Sequence, residues 1–417
     1  MKYICDLHIH SKYSRACSPR LALEDIDKYC VIKGVDVVTV SDFTHPVWFK
    51  EIKNKLEEAE PGLYKLKGSD SATRFFLSTE ISVIYSKGGK VRRLHIVIFV
   101  PNIETAEELN KVLGKIGNLS ADGRPILGLD ARELARIVFD ISPEAMVIPA
   151  HAWTPWFGLF GSKSGFNSIE ECFEDYTDKI YAIETGLSSD PPMNWRLSAL
   201  DDITLISNSD SHSLPNIARE ANVFDLDKLS YSEICRVIRE KDRKSFLYTI
   251  EFYPQEGMYH YDGHRDCKVS FKPQQTAKHK GICPKCKRPM TVGVLNRVEE
   301  LADRPEGFEP PDAIPYKSLV ELDKIIAESL NIKSRNSKAV QAEFKNMIEK
   351  GKSEMNILLN LDQQKLKKIT NNEKIVEGIK RMRQGQVIVQ PGFDGQYGKV
   401  EIFTPAERQA SAQKKLF

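Results

Sequence analysis

The distribution of histidine limits most strongly what this chain can fold into. The sequence has 417 residues and nine histidines, and every histidine falls in a short pattern typical of metal ligands. Six lie in DLHIHS, SDFTHP, RLHIVIF, PAHAW and NSDSH, and three surround a Cys-x-x-Cys pair. We interpret the first group as an open catalytic metal cluster and the second as part of a closed structural zinc site. The groups are His8, His10, His45, His95, His151 and His212, and His260, His264 and His279.

Length and charge set the outer limits of this interpretation. A chain of 417 residues is too long for one ordinary hydrophobic core, so we expect two or three domains. The formal net charge is +2, so any affinity for nucleic acid must come from local basic patches. We find no run of ~18 or more apolar residues and no signal segment, so we expect a cytoplasmic monomer without membrane contact.

Short apolar runs alternate with longer amphipathic stretches from residue 1 to about residue 225. This alternation is typical of parallel strands connected by helices. About seven such runs, several of them ending in polar residues, favour a barrel with its chemistry at the carboxyl ends of the strands. One segment predicts a hairpin around Lys87-Gly88-Gly89, at whose base Glu80 and His95 would meet.

The rest of the sequence predicts two further parts. Residues 226–310 contain the Cys-x-x-Cys cluster. Residues 311–417 contain a lysine-rich helical stretch, then a terminal hairpin and a flexible polar tail. We therefore predict an α/β protein with a hydrolase domain over 1–225, a zinc-binding module over 226–310 and a helical segment over 311–417.

Histidines and carboxylates share faces of the predicted strands. His8 and His10 are two residues apart and point to the same side of one strand, as Asp210 and His212 do on another. Mixed imidazole and carboxylate ligands suit zinc, manganese or iron in open sites, and several such ions suit phosphoester cleavage. Further carboxylates end apolar runs, where they would otherwise be badly solvated: Asp42, Glu80 and Glu184.

The cysteines near residue 270 have the spacing of a structural zinc site. His264-x-x-Cys267 and Cys283-x-x-Cys286 are separated by fifteen residues, as in a zinc ribbon or knuckle. His260 and His279 are also near, so the spacing leaves open which histidine completes the four ligands. A redox Cys-x-x-Cys is the alternative, but no thioredoxin-like pattern of strand and helix surrounds this pair.

The motifs DLHIHS, PAH and SDSH, with the strand-end Glu80, resemble the polymerase and histidinol phosphatase (PHP) superfamily. The resemblance implies a distorted seven-stranded PHP barrel with a trinuclear metal site. It implies that one ion is held by His8, His10, Glu80 and Asp210, the catalytic set, that Glu80 bridges to a second ion held by His95 and His151, and that His212 belongs to a third.

Two positions depart from the superfamily pattern. The chain has Asp42-Phe43 with His45 where the superfamily has an Asp-His pair, and Ala16-Cys17 where it has a further histidine. We therefore expect two or three catalytic divalent ions (Zn, Mn or Mg), the third either absent or held by Asp42 and His45, in addition to one structural zinc.

The stretch from YHYDGHRDC to GVLNRVEELADRP, which lies downstream of SDFTHP, resembles the endonuclease Q family. This resemblance covers essentially the full chain. The resemblance implies a metal-dependent DNA repair endonuclease that acts on damaged double- or single-stranded DNA. It would nick 5′ to deaminated bases (uracil, hypoxanthine, xanthine) and abasic sites, leaving a 3′-hydroxyl and a 5′-phosphate. The flipped base would lie in a pocket formed by Glu184, Ser188 and Asn208.

Three residues follow DLHIHS directly, and we expect them to contact the DNA backbone near the scissile phosphate: Lys12, Tyr13 and Arg15. Two other functions stay open. One is a PHP-type phosphoesterase or DNA-end exonuclease, and the other is a non-enzymatic DNA-binding scaffold. The sequence contains no GxxxxGK[ST] motif, so it supports no ATP-driven motor.

The last five residues resemble a peptide by which bacterial repair proteins bind the sliding clamp. Gln413, Leu416 and Phe417 carry the likeness. Such a peptide would tether the nuclease near DNA. The alternative is an unstructured charged terminus.

Overall fold

A computed structural model describes residues 1–408 of the chain. The clamp-like residues Gln413, Leu416 and Phe417 lie outside the described residues. Within residues 1–408, no helix combines the length and the hydropathy that are needed to cross a lipid bilayer.

Within residues 1–408 the strands form two large sheets and three strand pairs. One sheet has eight strands in the order β16-β13-β12-β1-β2-β5-β4-β3, and a second has four in the order β8-β6-β7-β9. In chain order the strands are β1 Lys2–Asp6, β2 Val37–Thr39, β3 Leu56–Glu60, β4 Leu63–Leu66, β5 Arg74–Phe76, β6 Ser78–Lys87, β7 Lys90–Phe99, β8 Ile126–Leu127, β9 Met146–Pro149, β10 Ala182–Glu184, β11 Thr204–Ile206, β12 Ala221–Asp225, β13 Phe246–Glu251, β14 Asp262–His264, β15 Val269–Phe271, β16 Tyr316–Ser318, β17 Ile388–Gln390 and β18 Lys399–Glu401.

The helices connect these strands and form most of the C-terminal part. Within residues 1–408 a π-helical turn, Asn356–Asn360, lies between the second and the third of the last four helices. In chain order the helices are α1 Leu23–Lys33, α2 Pro46–Lys55, α3 Ile103–Leu113, α4 Ala131–Ile141, α5 Ile169–Phe173, α6 Pro191–Asn194, α7 Tyr231–Arg239, α8 Pro273–Lys278, α9 Val294–Leu301, α10 Leu322–Ser329, α11 Lys338–Gly351, α12 Gln363–Ile369 and α13 Glu373–Arg383.

The first sheet is mixed, so the prediction of parallel strands is correct only in part. β1 pairs in parallel with β2, and β2 with β5, as the alternation of strands and helices predicts. However, β1 pairs antiparallel with β12, and β12 antiparallel with β13. The partner of β1 lies more than 200 residues away in the sequence, and alternation along the chain carries no information on such a pairing.

The hairpin predicted around Lys87-Gly88-Gly89 is confirmed. β6 and β7 pair antiparallel along their whole length, with Lys87 opposite Lys90 at the turn. Glu80 lies opposite Val97 and His95 opposite Ser82, so Glu80 and His95 are diagonal neighbours on one face of the hairpin. The register therefore brings the two side chains together.

Strand ends from different sheets meet at one place. The segments that follow β9 and β11 form backbone hydrogen bonds to other strand ends. Ala152 N, after β9, donates to Glu184 O of β10 at 2.9 Å, and Asp210 N, after β11, donates to His8 O, after β1, at 2.9 Å. Among residues 1–408 the hydrogen-bonded ladders do not join into one closed ring. The fold is thus mixed α/β, and the seven-stranded barrel is not confirmed as a closed sheet.

The main sheet extends beyond residue 225, where the sequence suggests the end of the first domain. β12 ends at Asp225, and β13 continues the sheet beside it. β16 then pairs in parallel with β13, with Thr249 opposite Tyr316. The zinc-like cluster lies in the stretch of chain that connects β13 to β16. The chain therefore leaves the main sheet to form this cluster and then returns to the same sheet.

The helical segment packs on the sheet domain through a shared core. One cluster of buried apolar side chains contains Ile26 of α1 together with Ile325 of α10 and Ile379 of α13. A buried ion pair joins the same parts, with Lys33 Nζ 2.8 Å from Glu354 Oε2. The four C-terminal helices confirm the predicted helical stretch, and the pairing of β17 with β18 confirms the terminal hairpin.

Candidate metal centre and zinc module

Three predicted ligands meet where β1 approaches the segment after β11. Ligand atoms of His8, His10 and Asp210 lie within 4.8 Å of one another. The two histidines follow β1 in an extended segment, so alternation turns both rings to the same side. Nε2 of His10 lies 3.0 Å and Nε2 of His8 lies 3.8 Å from Asp210 Oδ1.

A second group contains Glu80, His95 and His151, whose ligand atoms also lie within 4.8 Å of one another. Glu80 Oε1 is 2.9 Å from His95 Nδ1 and 3.3 Å from His151 Nε2. Its other oxygen, Oε2, is 3.3 Å from His10 Nε2 in the first group. The carboxylate of Glu80 therefore faces both groups, one oxygen to each.

The chemistry of these groups fits divalent cations. His8 Nε2 and Glu80 Oε1 are buried and have no hydrogen-bond partner among the described residues, although buried polar atoms are rarely left without one. Burial opposes the charged form of Glu80, but His95, Arg124 and His8 outweigh it and hold the pKa of this carboxyl well below its usual range. Ionised carboxylate and imidazole nitrogen are the ligands that zinc and manganese accept.

Two further carboxylates orient the histidines from behind. His8 Nδ1 is 3.0 Å from Glu184 Oε2, and His10 Nδ1 is 3.1 Å from Asp42 Oδ1. A hydrogen bond from Nδ1–H to a carboxylate leaves Nε2 free to bind a cation. Asp42 thus lies behind His10, and Glu184 lies behind His8.

Backbone strain accompanies several of these residues. Asp42, His151 and Asp210 have φ angles of 47°, 30° and 44°, in the left-handed region that favours glycine. Such conformations cost of order 1–3 kcal/mol each and cluster at functional sites. Gly186 adds a close approach, since a Cβ there would lie 2.5 Å from His151 Cβ.

The remaining predicted metal ligands, His45 and His212, lie outside the two groups. His45 caps α2, where its Nδ1 accepts a hydrogen bond from Trp48 N at 3.5 Å, and its ring stacks on Tyr13. His212 lies nearer, with its ring centroid 4.6 Å from that of His10 and its Nδ1 2.8 Å from Asp210 O. A third ion held by His45 or His212 stays a prediction.

The three predicted base-pocket residues differ in exposure. Glu184 and Asn208 are fully buried. Asn208 Nδ2 donates to Glu184 Oε2 at 3.0 Å, and Asn208 Oδ1 accepts from Leu7 N at 2.9 Å. Ser188 is half-buried in the loop after β10. In this arrangement Asn208 holds Glu184 in place behind His8, and the role of these three residues in reading a base stays a prediction.

The predicted DNA-contacting residues lie beside the centre. Lys12 Nζ and Tyr13 Oη both contact Glu51, at 3.0 and 2.7 Å. The side chain of Arg15 is exposed and lies 3.7 Å from Asp122 Oδ2. Of the three, Arg15 presents the most accessible positive charge.

One residue in the centre, Arg124, belongs to no motif that the sequence analysis identifies. Its Nη1 donates to Glu80 Oε2 at 3.0 Å. The surrounding SADGRPI has no metal-ligand pattern, and nothing local relates it to DLHIHS, because loop packing alone brings the segments together.

The zinc-like cluster contains the four predicted ligands. Ligand atoms of His264, Cys267, Cys283 and Cys286 lie within 4.8 Å of one another. Among the described residues, His264 is thus the histidine whose ring nitrogen lies with the three cysteine sulfurs, whereas the ring of His279 stacks on Phe271.

The two turns that contain the candidate cysteine ligands have the same backbone conformation at their last residue. Each Cys-containing turn ends in a lysine with a positive φ, 53° for Lys268 and 64° for Lys287. The apolar core here is formed by Val269, Cys283 and Met290. Domains with so small a core usually need a metal or a disulfide, and a zinc ion at these ligands would supply that stabilisation.

The terminal hairpin packs against the zinc module. Asp394, between β17 and β18, accepts hydrogen bonds from Arg265 N and Thr291 Oγ1, each at 2.6 Å. Tyr261 N donates to Gly392 O at 3.0 Å. These bonds hold the end of the described chain to a module more than 100 residues earlier.

Two solved structures share this architecture over almost the whole chain. The lesion-specific endonuclease PfuEndoQ from Pyrococcus furiosus superimposes with a TM-score of 0.85 at 27% identity, covering 99% of each chain. Endonuclease Q in complex with a 27-mer duplex substrate that has an abasic lesion at the active site superimposes with a TM-score of 0.84 at 28% identity, covering 98% of each chain.

Sequence relatives match parts of the chain. Residues 321–386 match the family described as the MJ0043 C-terminal domain. The uncharacterised protein MJ0043 of Methanocaldococcus jannaschii is 32% identical over 259 residues, which are 60% of this chain and 31% of that protein. The chain thus matches less than a third of the length of this relative. The uncharacterised YqxK of Bacillus subtilis is 28% identical over 283 residues, 66% of this chain and 68% of that protein.

Proposed function

This chain belongs to the endonuclease Q family, and we propose on that basis that it is a metal-dependent DNA repair endonuclease. It nicks the phosphodiester 5′ to uracil, hypoxanthine, xanthine and abasic sites, leaving a 3′-hydroxyl and a 5′-phosphate. The observation that carries this proposal is the similarity to endonuclease Q structures over 98–99% of both chains, one of them a complex with an abasic duplex.

The arrangement of the buried ligands supports hydrolysis of a phosphodiester. Divalent cations at the groups around His8 and His95 would supply the positive charge and the activated water that this reaction needs. Glu80 contacts both groups, so it fixes their separation. Glu184 and Asp42 fix the ring orientation of the two histidines after β1.

Lesion recognition is assigned to the loops around the same centre. Deaminated bases pair weakly, so extruding them from the duplex costs less than extruding a normal base. We assign the base pocket to Glu184, Ser188 and Asn208. If Asn208 reads the base, Asn208→Ala lowers nicking at uracil more than at abasic sites, because an abasic site offers no base to bind. Equal losses would assign Asn208 only to the support of Glu184.

The C-terminal parts are assigned to binding along the DNA. We propose that one zinc ion, held by His264 and the three cysteines, keeps the module folded.

The N-terminal part is assigned to the DNA backbone near the scissile phosphate, where positive charge strengthens binding independently of sequence. The residues assigned to this contact are Lys12, Tyr13 and Arg15.

The test uses end-labelled duplexes that contain uracil, hypoxanthine, an abasic site or no lesion, incubated with the protein and Mg²⁺ or Mn²⁺. We expect one nick on the 5′ side of each lesion and an intact control duplex. Progressive loss of nucleotides from the ends would instead indicate an exonuclease, and binding without cleavage in either metal would indicate a non-enzymatic DNA-binding protein.

A further inference from the structure

The residues of the metal centre differ in how far solvent reaches them. The side chains of His8 and Glu80 have no exposed surface. In contrast, Asp210 exposes 20%, Arg124 21% and His212 32% of the side-chain surface. A substrate that approaches the centre from solvent therefore meets the last three side chains first.

The segment that carries Arg124 is fixed by hydrogen bonds to the loop after β1. Asp122 Oδ1 accepts from Arg15 N at 3.1 Å, and Gly123 N donates to Tyr13 O at 3.0 Å. Arg124 N in turn donates to Asp122 Oδ1 at 3.1 Å. The two loops therefore hold the backbone of Arg124 in one position beside the metal ligands.

Gly123 shows how closely these loops approach. A Cβ at Gly123 would lie 2.5 Å from Asp42 Oδ2 and still closer to Ser14 Oγ, so only glycine fits. On the other side of Arg124, Pro125 O accepts a hydrogen bond from Ser82 N on β6 at 3.0 Å. Arg124 is thus held between β6 and the loop that follows DLHIHS.

The guanidinium of Arg124 keeps unused donors. Within residues 1–408 its side chain makes one hydrogen bond, from Nη1 to Glu80 Oε2. A guanidinium has five N–H donors in a rigid fork that matches two phosphate oxygens. The other N–H groups of the guanidinium lie at the exposed edge of the centre. There they add positive charge beside the candidate metal ligands Glu80 and Asp210.

We propose that Arg124 is a further catalytic residue, which donates hydrogen bonds to the non-bridging oxygens of the scissile phosphate and neutralises the charge that develops there during cleavage. This role rests on the proposed phosphodiester cleavage. A fixed cationic donor next to a metal centre stabilises the transition state without a reorganisation cost, since its backbone is already in place.

The test compares the wild type with Arg124→Ala and Arg124→Lys on an abasic duplex. We expect kcat to fall about 10²–10³-fold in Arg124→Ala, with KM for DNA changed only a few-fold. Arg124→Lys should recover part of the loss, because it keeps the charge but not the fork. Guanidinium ion at millimolar concentration should restore at least tenfold to Arg124→Ala, and sodium at equal ionic strength should not.

Metal content and stability separate this role from a purely structural one. Elemental analysis should find the same ions per chain in the wild type and in Arg124→Ala, with unchanged melting temperatures. The matched control is Arg136→Ala on α4, which removes an exposed arginine that is paired with Glu133 and Asp140. Loss of ions from Arg124→Ala, or wild-type kcat in it, would overturn the proposal.

A generic substrate distinguishes this proposal from the proposed function. Hydrolysis of bis(p-nitrophenyl) phosphate requires a phosphodiester centre but no lesion. If the wild type hydrolyses this diester and Arg124→Ala does not, the role of Arg124 stands even if no lesion duplex is cut. If both proteins hydrolyse it equally, the role of Arg124 is wrong, whatever the outcome with DNA.

Discussion

The two oxygens of the Glu80 side chain face two different groups of candidate ligands. Oε2 lies 3.3 Å from His10 Nε2, and Oε1 lies 2.9 Å from His95 Nδ1. Each oxygen faces a different group of candidate ligands, and the negative charge is shared between the two oxygens. Glu80 would therefore contact divalent ions at both groups, the arrangement that phosphodiester cleavage by two ions requires.

Removal of a single ligand should abolish cleavage without abolishing DNA binding. We expect His8→Ala and Asp210→Ala to lower nicking about 10³-fold or more, because the cations supply both charge neutralisation and the activated water. Binding to the abasic duplex, measured by fluorescence anisotropy, should stay within a few-fold of wild type. The matched control is His279→Ala, which removes a histidine outside both ligand groups. Wild-type nicking by Asp210→Ala would refute the assignment of the centre.

A buried acidic pair behind the centre gives a second prediction, concerning stability. Glu220 and Glu251 are both fully buried, and one oxygen of each lacks a hydrogen-bond partner among the described residues. Burial raises the pKa of Glu251 to about 8, and the charge of Asp190 adds to the rise. As the pH rises, the unfolded state, in which the pKa of Glu251 is about 4.3, therefore releases the carboxyl proton at a lower pH than the folded state does.

The sign of the pH effect follows from this proton. A raised folded-state pKa stabilises the protein at low pH, and that stability is lost as the pH rises from about 4.3, the unfolded-state pKa, to about 8. Glu251→Gln cannot ionise, so its free energy of unfolding should exceed that of wild type by at least about 1 kcal/mol at pH 8.5, with a smaller difference at pH 5. Urea unfolding at both pH values checks this, with the exposed Glu306→Gln as control. A difference independent of pH would contradict it.

At the scale of the elements, we expect the zinc-like cluster to depend on its four candidate ligands more than on its apolar core. Cys283→Ser should release the zinc and lower the melting temperature, because Val269, Cys283 and Met290 alone form too small a core. Elemental analysis and calorimetry measure both effects. The control is Cys17→Ser, a cysteine outside the cluster, which should keep its zinc. Full zinc content in Cys283→Ser would show that another set of residues binds it.

The loop that ends at β8 gives a prediction with a matched glycine pair. Gly123→Ala should lower nicking about tenfold or more, because its Cβ would displace Asp42, which orients His10, and Arg124 with it. Gly128→Ala lies five residues away and meets no heavy atom within 4 Å, so it should be neutral. Steady-state nicking of an abasic duplex compares the two variants. Equal activities would indicate that the loop moves freely without affecting the centre.

Local sequence patterns predicted the β6–β7 hairpin and the arrangement of the His/Cys cluster. The Gly-Gly turn after Lys87 predicts the hairpin, and its register then requires Glu80 and His95 to meet. The His-x-x-Cys and Cys-x-x-Cys spacings likewise predict the four ligands that the structure brings together. These features depend on residues close in sequence, where turn chemistry and ligand spacing leave few alternatives.

Features that depend on distant packing were not predictable in the same way. The role of Arg124 depends on contact between two loops more than 100 residues apart, and its own neighbours have no pattern. The placement of His45 at a helix N-terminus, away from the ligand groups, is equally invisible when His45 is read only as a histidine in a motif. The mixed pairing of β1 likewise depends on a strand at the far end of the domain.

At the scale of the whole molecule, the tail beyond the described residues carries a separate prediction. Gln413, Leu416 and Phe417 should bind the sliding clamp and raise the local concentration of the nuclease on DNA. A pull-down with the cognate clamp should retain the full-length protein and lose a variant that stops at Ala412. Lys414→Ala, within the same segment, is the control and should still bind. Failure of the full-length protein to bind would contradict this prediction.

The position of β16 has a consequence for how the protein is made. β16 completes the sheet that holds His8, yet it follows the zinc module in the chain. A ribosome adds about 5–20 residues per second, so β13 waits several seconds for this partner while the module emerges. An unpaired strand edge is a template for association with other chains. The edge of β13 therefore stays open to association with other chains until the residues of β16 have emerged.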